Sequence, residues 1–338
     1  MKKLKINSNT LLLLITIVLF IVMYAAGCIV YASKGFTHLQ TFLNILINNA
    51  GLICVASGTT CVMLTGGIDI SVGSVVAMDC MIMAVGIERW GWSSPVLMLF
   101  ILAIGLVFGL VQGFCIAYLD IQPFIVTMAG LFFARGMTAV ICKDQVSIVS
   151  DKIFTALAGY KIELPFGGYV NKKGTMLMPY LRITVIVALL VVLAIFLMLK
   201  YTRFGRSIYA VGGNQQSATL MGLDVKKTRL KVHMLASFLA SIGGICYCLN
   251  TMAGTTQQAT GLEMDAISSA VIGGTLLTGG VGNVLGTLIG VMINGTISTL
   301  VKSNGKLISS WSNIITAILL CFFIVLQSIF ARIKEASK

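Results

Sequence analysis

Charge is what this sequence has least of. Its 24 lysines and arginines and 11 aspartates and glutamates make up 10% of 338 residues, while 57% are hydrophobic. With a mean hydropathy of +0.98, a soluble domain of this size is excluded for want of charged surface. Histidine is nearly absent too: His38 and His233 stand alone, without an HExxH or any clustered ligands, so no metal is expected. No GxxxxGK[ST] run exists, which removes a phosphate-cradling loop for ATP. The run "GGVGNVLG" places Gly280, Gly282 and Gly286 as GxGxxxG, one residue too long for a dinucleotide fingerprint. Nine cysteines are present, but Cys54, Cys61, Cys115 and Cys321 fall in apolar runs and behave as small hydrophobes. The pair Cys246 and Cys248 has no second pair to complete a zinc site. With no nucleophile–base pair and no metal or cofactor motif, an enzyme is not expected.

What is present is a series of apolar runs of near-membrane length. They lie near 11–31, 41–64, 70–87, 95–118, 123–141, 182–200, 230–250, 264–280, 283–301 and 313–331. The expected fold is all-α, a polytopic membrane helix bundle of about ten transmembrane helices forming one unit over 1–338. The third and eighth runs are interrupted by glycine and polar residues. The basic start "MKKLKINSNT" imitates a signal peptide, yet its apolar run continues to Tyr31, so an uncleaved first helix is expected.

The net charge of +13 sits in short loops and forms no continuous stripe, which argues against nucleic-acid binding. Basic loops instead orient a membrane protein. Placing both termini in the cytoplasm puts Lys2, Lys3, Lys5, the cluster from Lys200 to Lys231, and Arg332, Lys334 and Lys338 inside. The long outer stretch 142–181 carries five lysines of its own; it is amphipathic and reads either as a cap on the bundle or as a partner contact.

Two places interrupt the apolar pattern with paired glycines: "GGIDISVGSVVAM" and "GGTLLTGGVGNVLG". They suggest two pseudo-repeated halves, about 1–180 and 181–338, whose broken helices meet within the membrane. In the first, Gly66 and Gly67 permit a sharp turn, Asp69 or Ser71 can cap the helix that follows, and Gly73 allows close helix approach. This stretch is read as a polar hinge within the bundle. Arg135 lies inside the fifth run and needs a partner, with Asp120, Asp79 or a polar cavity as candidates. Glu263 and Asp265 fall in the first turn of the eighth helix, where carboxylates offset free N–H groups; they read as caps, with contact to a solute as the alternative. Glycines 273, 274, 279, 280, 282, 286 and 290 are read as close-packing positions.

Between the sixth and seventh runs lies "YTRFGRSIYAVGGNQQSATLMGLDVKKTRLK". A short helix starts after Asn214, an N-cap residue, and stops at Gly222, presenting Ala218, Leu220 and Met221 for docking into a partner's groove. The segment "FGRSIYAVGGNQQSATLMGLDV" resembles the coupling loop of permease subunits of bacterial ABC sugar importers of the ribose/xylose/galactose type. "MLTGGIDISVGSVVAM", "LDIQPFIVTMAGLFFARGMT" and "EMDAISSAVIGGTLLTGGVGNVLGTLIGVMI" agree, so the resemblance runs from about Asn44 to the end. Within that family the wording is most similar to a galactofuranose importer permease.

The resemblance implies a multi-pass subunit of the cell membrane that imports a monosaccharide by alternating access. Its implied partners are cytoplasmic ABC ATPase subunits, a second permease subunit (a heterodimer by the galactofuranose pattern) and an extracytoplasmic sugar-binding protein. By carry-over, Gly205, Gly212, Asn214, Ala218 and Gly222 belong to a coupling loop, about 201–229, that touches the ATPase. Gly66, Gly67, Asp69, Ser71, Gly73, Arg135 and Asp265 are the candidates for pathway or gate. An ion-coupled secondary transporter is the alternative; it would need several ionisable groups in the membrane, and Asp69, Asp79 and Arg135 are the chief ones here.

Overall fold

The computed structural model describes residues 8–170, 176–308 and 310–336. Lys2, Lys3, Lys5, Lys172, Lys173 and Lys338, which enter the charge argument, lie outside the described residues, as do the side chains of Arg332 and Lys334.

Thirteen helices account for most of the described chain: α1 (Ser8–Val30), α2 (Leu39–Leu64), α3 (Val72–Glu88), α4 (Ser94–Tyr118), α5 (Pro123–Ile141), α6 (Lys152–Gly159), α7 (Ile183–Tyr201), α8 (Arg203–Gly213), α9 (Gln215–Leu220), α10 (Val225–Thr251), α11 (Leu262–Ile272), α12 (Val284–Asn304) and α13 (Ser310–Ala336). Six short strands, β1 (Val146–Ser147), β2 (Lys161–Glu163), β3 (Tyr169–Val170), β4 (Met176–Leu177), β5 (Tyr180–Arg182) and β6 (Ala253–Gly254), form two-stranded antiparallel pairs β1–β6, β2–β5 and β3–β4.

Among the described residues, eight helices are long and apolar enough to cross a bilayer: α1, α2, α4, α5, α7, α10, α12 and α13. The third and eighth expected crossings are shorter. α3 has 17 residues, and α11 has 11, about 16 Å at the helical rise. The expected span 264–280 is therefore not one helix. It stops at Ile272, because Gly274, Gly279 and Gly280 all take positive φ and the chain turns.

α10 sits at the centre, against α2, α3 and α4. Glycines at every fourth position of α4 let the backbones meet: a Cβ on Gly109 would lie 2.6 Å from the His233 carbonyl oxygen, and one on Gly113 2.9 Å from that of Leu230. α2 is the other interior helix, buried over most of its length. α1, α4, α5, α7 and α13 instead turn exposed apolar side chains outward, among them Val107, Phe132, Val140, Leu190 and Phe322, as a lipid-facing surface requires.

The first and last helices meet at the end of α11. Thr16 of α1 donates to the Ile272 carbonyl (2.8 Å), and Gln327 of α13 donates to the neighbouring Val271 carbonyl (2.9 Å). At the opposite end of the bundle, Asn304 donates to the Tyr31 hydroxyl (3.1 Å).

The segment between α5 and α7 covers that opposite end. Glu88, closing α3, accepts from the Val149 and Ser150 amides (2.6 and 2.8 Å), and Asp151 accepts from the amides of Ser94, Ile153 and Phe154 at 3.0, 2.7 and 2.9 Å. One carboxylate thus fastens the starts of both α4 and α6.

Candidate translocation and coupling sites

Between α2 and α3 the chain gives up helical bonding for Thr65–Ser71 in the middle of protein. Irregular backbone survives there only if its polar groups find partners. Gly66 takes φ +79°, which turns the chain out of α2. Thr127 of α5 donates its hydroxyl to the Ile68 carbonyl (3.3 Å). Asp69 is fully buried, and its Oδ1 accepts from the Ser71 amide (2.9 Å) and the Ser71 hydroxyl (2.7 Å). Gln112 of α4, also buried, donates to the Ser71 hydroxyl (3.1 Å). Asp69 therefore braces the residue before α3 rather than capping the free N–H groups within it; Ser71 occupies the N-cap position without a side-chain cap bond. Gly73 packs beneath the start of α11, where a Cβ would lie 3.1 Å from the Ala259 carbonyl oxygen and overlap the Glu263 carboxylate.

The loop after α7 is more helical than its sequence suggests. α8 is capped by Thr202, whose hydroxyl accepts from the Gly205 amide (3.0 Å). α9 is capped by Asn214, whose Oδ1 accepts from the Ser217 amide (2.8 Å), and Gly222 ends it with φ +77°. Asp224 caps α10 through the Lys227 amide (2.9 Å), a bond that holds its carboxyl below the usual aspartate range. Arg229 reaches back to the Gln215 side chain (2.7 Å).

The structure corrects which residues this loop presents. Ala218 is fully buried against Val211 and Val225, and Leu220 and Met221 alone of the expected trio stand out, 89% and 68% exposed. Gly205 packs on Leu199. Gly212 faces inward, while Gly213 beside it has open space around its Cβ position.

Gly212 leads to the central feature. The Gly280 amide donates to the Leu64 carbonyl at the end of α2 (2.9 Å). A Cβ on Gly279 would lie 2.7 Å from the Gly66 nitrogen and 3.0 Å from the Gly212 oxygen, and one on Gly280 2.7 Å from the Gly213 Cα. Tyr209 of α8 donates to the Gly282 carbonyl (2.9 Å). Three glycine-bearing turns thus meet backbone to backbone: the break after α2, the break after α11, and the α8–α9 corner.

At the far end of α11, Arg135 meets neither Asp120 nor Asp79. Its Nη1 donates to the carbonyls of Gln258 (2.7 Å) and Thr256 (3.2 Å), in the turn that leads into α11. Asp79 is fully buried against Gly244 of α10, and Asp120 takes φ +52° in the turn after α4. Glu263 and Asp265 lie in the first turn of α11 as expected, but the N-cap is Gly261 and carries no side-chain cap bond. The expected close-packing glycines separate into two groups. Gly273, Gly286 and Gly290 bring α11 and α12 together, whereas Gly274, Gly279, Gly280 and Gly282 shape the turn.

Residues 41–324 match the family model described as "Branched-chain amino acid transport system / permease component". The chain is also 40% identical over 315 residues to the inner membrane ABC transporter permease protein YjfF of Escherichia coli (strain K12), covering 93% of this chain and 91% of that one. It belongs to this ABC transporter permease family. Similarity extends to the fructose import permease protein FruG of Bifidobacterium longum (strain NCC 2705), 33% identical with 96% and 93% covered. The ribose import permease protein RbsC of Escherichia coli (strain K12) is 34% identical with 79% of each chain covered. No solved structure matches the chain.

As a permease the chain is a transport component and not an enzyme. Gln112 and Tyr209 escaped the sequence reading. Each is one polar residue in an apolar or loop context, and only its contact with a helix break gives it meaning.

Proposed function

We propose that this permease imports a monosaccharide by alternating access driven by a separate cytoplasmic ATPase. The sugar is galactofuranose by the sequence resemblance, or otherwise a ribose-, xylose- or galactose-like sugar. Both termini and the α8–α9 corner lie in the cytoplasm. The permease works as two related halves beside a second permease subunit, with a heterodimer expected, and receives sugar from an extracytoplasmic binding protein.

The observation that carries the mechanism is the junction of Leu64, Gly212 and Gly280. An ATPase that grips the exposed α9 tip pushes on α8, and α8 touches the end of α2 and the turn that follows α11 without a flexible side chain between them. Packed backbones pass on displacement because they cannot compress. The polar elbow of Asp69, Ser71 and Gln112 lies just beyond the first break, so a shift there repositions buried polar groups along the path. The sugar assignment draws on the relatives, of which two are named for fructose and ribose import.

The test is uptake into proteoliposomes holding the permease pair, the ATPase and the binding protein. ATP inside the cytoplasmic compartment is expected to drive accumulation of labelled sugar. Accumulation driven by an ion gradient without ATP would make the chain an ion-coupled carrier and end this reading.

A further inference from the structure

The turn that Arg135 holds forms one wall of a cavity of ≈ 450 Å³ at the start of α11, within the size range of about 300–1,000 Å³ typical of small-molecule sites. Its walls come from three places: Gln145 before β1, Tyr247 and Thr251 at the end of α10, and the 253–265 stretch that ends at Asp265. We infer that this cavity is a monosaccharide site of the permease itself, built to take a neutral polyol and to refuse an amino acid. The inference deepens the sugar-import reading and rests on it.

The wall is pre-set. Gln258 accepts from the Thr255 amide (2.9 Å) and donates to the Thr251 hydroxyl (2.9 Å), while Thr251 donates to the Tyr247 carbonyl (3.1 Å). Arg135 clamps the same turn from behind through the Gln258 and Thr256 carbonyls. A ligand entering here meets a surface whose polar atoms are already oriented, so little ordering opposes binding.

The chemistry of the lining selects the ligand. Asp265 is its one charged group, and among the described residues no lysine, arginine or histidine lines it. Arg135 is not among the lining residues, and its Nη1 already donates to the Gln258 and Thr256 carbonyls. A branched-chain amino acid could set its ammonium against Asp265, but its carboxylate would be desolvated without a cation, and unpaired burial of a charge is costly. Its hydrocarbon side chain would also find little apolar wall beyond Ala253, Ala259, Leu262 and the Tyr247 ring. A sugar has no charge to strand. Its hydroxyls each offer a donor and acceptors, which suit an acceptor-only carboxylate and the amide of Gln145, and its C–H face suits the Tyr247 ring. The cavity thus argues for the sugar branch within a family whose model is described by branched-chain amino acid transport.

Thr255→Cys in the assembled permease–ATPase complex in proteoliposomes supplies the test, read by labelling with a membrane-impermeant thiol reagent against the background of the native protein. Galactose and ribose are expected to protect the cysteine and leucine at the same concentration to leave it reactive. Adding Asp265→Asn should raise the sugar concentration needed for half-protection by about tenfold or more, the effect of losing a hydrogen bond to a charged group. If Thr255→Cys does not assemble, Gln257→Cys takes its place on the same wall. No protection by any monosaccharide, equal protection by leucine, or indifference to Asp265→Asn overturns the inference. Should native proteoliposomes accumulate sugar with ATP while protection is absent, only this site falls. Should they accumulate none, the import reading falls instead.

Discussion

Replacing Gly212 with alanine puts a methyl group where the end of α2 and the turn after α11 already stand. The new carbon would overlap the Leu64 carbonyl oxygen and lie 2.5 Å from the Gly280 nitrogen, against 3.4 Å for the nearest ordinary contact. The corner must therefore retreat by more than an ångström, and the contacting atoms are backbone, so no side chain can swing aside. That retreat strains the 2.9 Å bond from the Gly280 amide to Leu64. Overpacking of this kind costs about 1–3 kcal/mol, and a buried amide left without a partner costs about 1–3 kcal/mol more. The gain from replacing a helical glycine, about 0.5–1 kcal/mol, offsets only part. Gly213→Ala is the matched control, because nothing lies within 4 Å of its Cβ position. Thermal unfolding of the purified permease should show Gly212→Ala lowered by several degrees and Gly213→Ala equal to the native protein or above it. Co-purification with the ATPase should survive in both, since the exposed Leu220 and Met221 are untouched, while sugar accumulated per ATP hydrolysed drops only in Gly212→Ala. Equal stability and equal uptake in the two variants would refute the close junction and the coupling role built on it.

Asp69→Ala removes two accepted hydrogen bonds that brace Ser71, and uptake is expected to fall further than the amount of protein in the membrane. Asp69→Asn keeps an acceptor oxygen and should fall between; equal loss of protein and uptake in Asp69→Ala leaves only a structural brace. Asn214→Ala deletes the α9 cap, about 1 kcal/mol, and should raise hydrogen exchange at Ser217; unchanged exchange would show that the cap does not hold α9. Leu220→Ser with Met221→Ser exposes no buried surface, so the fold should stand while ATPase co-purification is lost; retained co-purification moves the docking surface elsewhere. Burial tends to raise the Asp151 carboxyl, but the amides of Phe154, Ser94 and Ile153 outweigh it and hold the value below its ordinary 3.8. A depressed carboxyl contributes stability above the unfolded value and loses it as pH falls through the folded one. The melting difference between native protein and Asp151→Asn should thus be constant above about pH 4 and close below it; a difference independent of pH would exclude this role.

The parts legible in the sequence are those set by local chemistry. Apolar runs marked the eight long helices, Pro123 marked the start of α5, and Asn214 and Gly222 bounded α9, because hydropathy, a missing N–H and a cap act within a few residues of where they are written. Partners across the fold were not legible in this way. Arg135 clearly needed a partner, yet carboxylates were the natural candidates, since backbone carbonyls are present at every residue and leave no trace in a sequence. Ala218 looked like part of a docking face until α8 and α10 closed over it. Gly205 and Gly212 could be carried over as members of a coupling loop, but their contacts face inward, toward Leu199 and Leu64. That inward turn separates two environments within one short loop. The exposed tip can change its apolar residues without disturbing packed neighbours. The glycine corner cannot accept even a methyl group without opening the junction of both helix breaks. On the proposed coupling role, docking falls to the exposed Leu220 and Met221 and transmission to the packed Gly212, so the tip tolerates substitutions that the junction refuses.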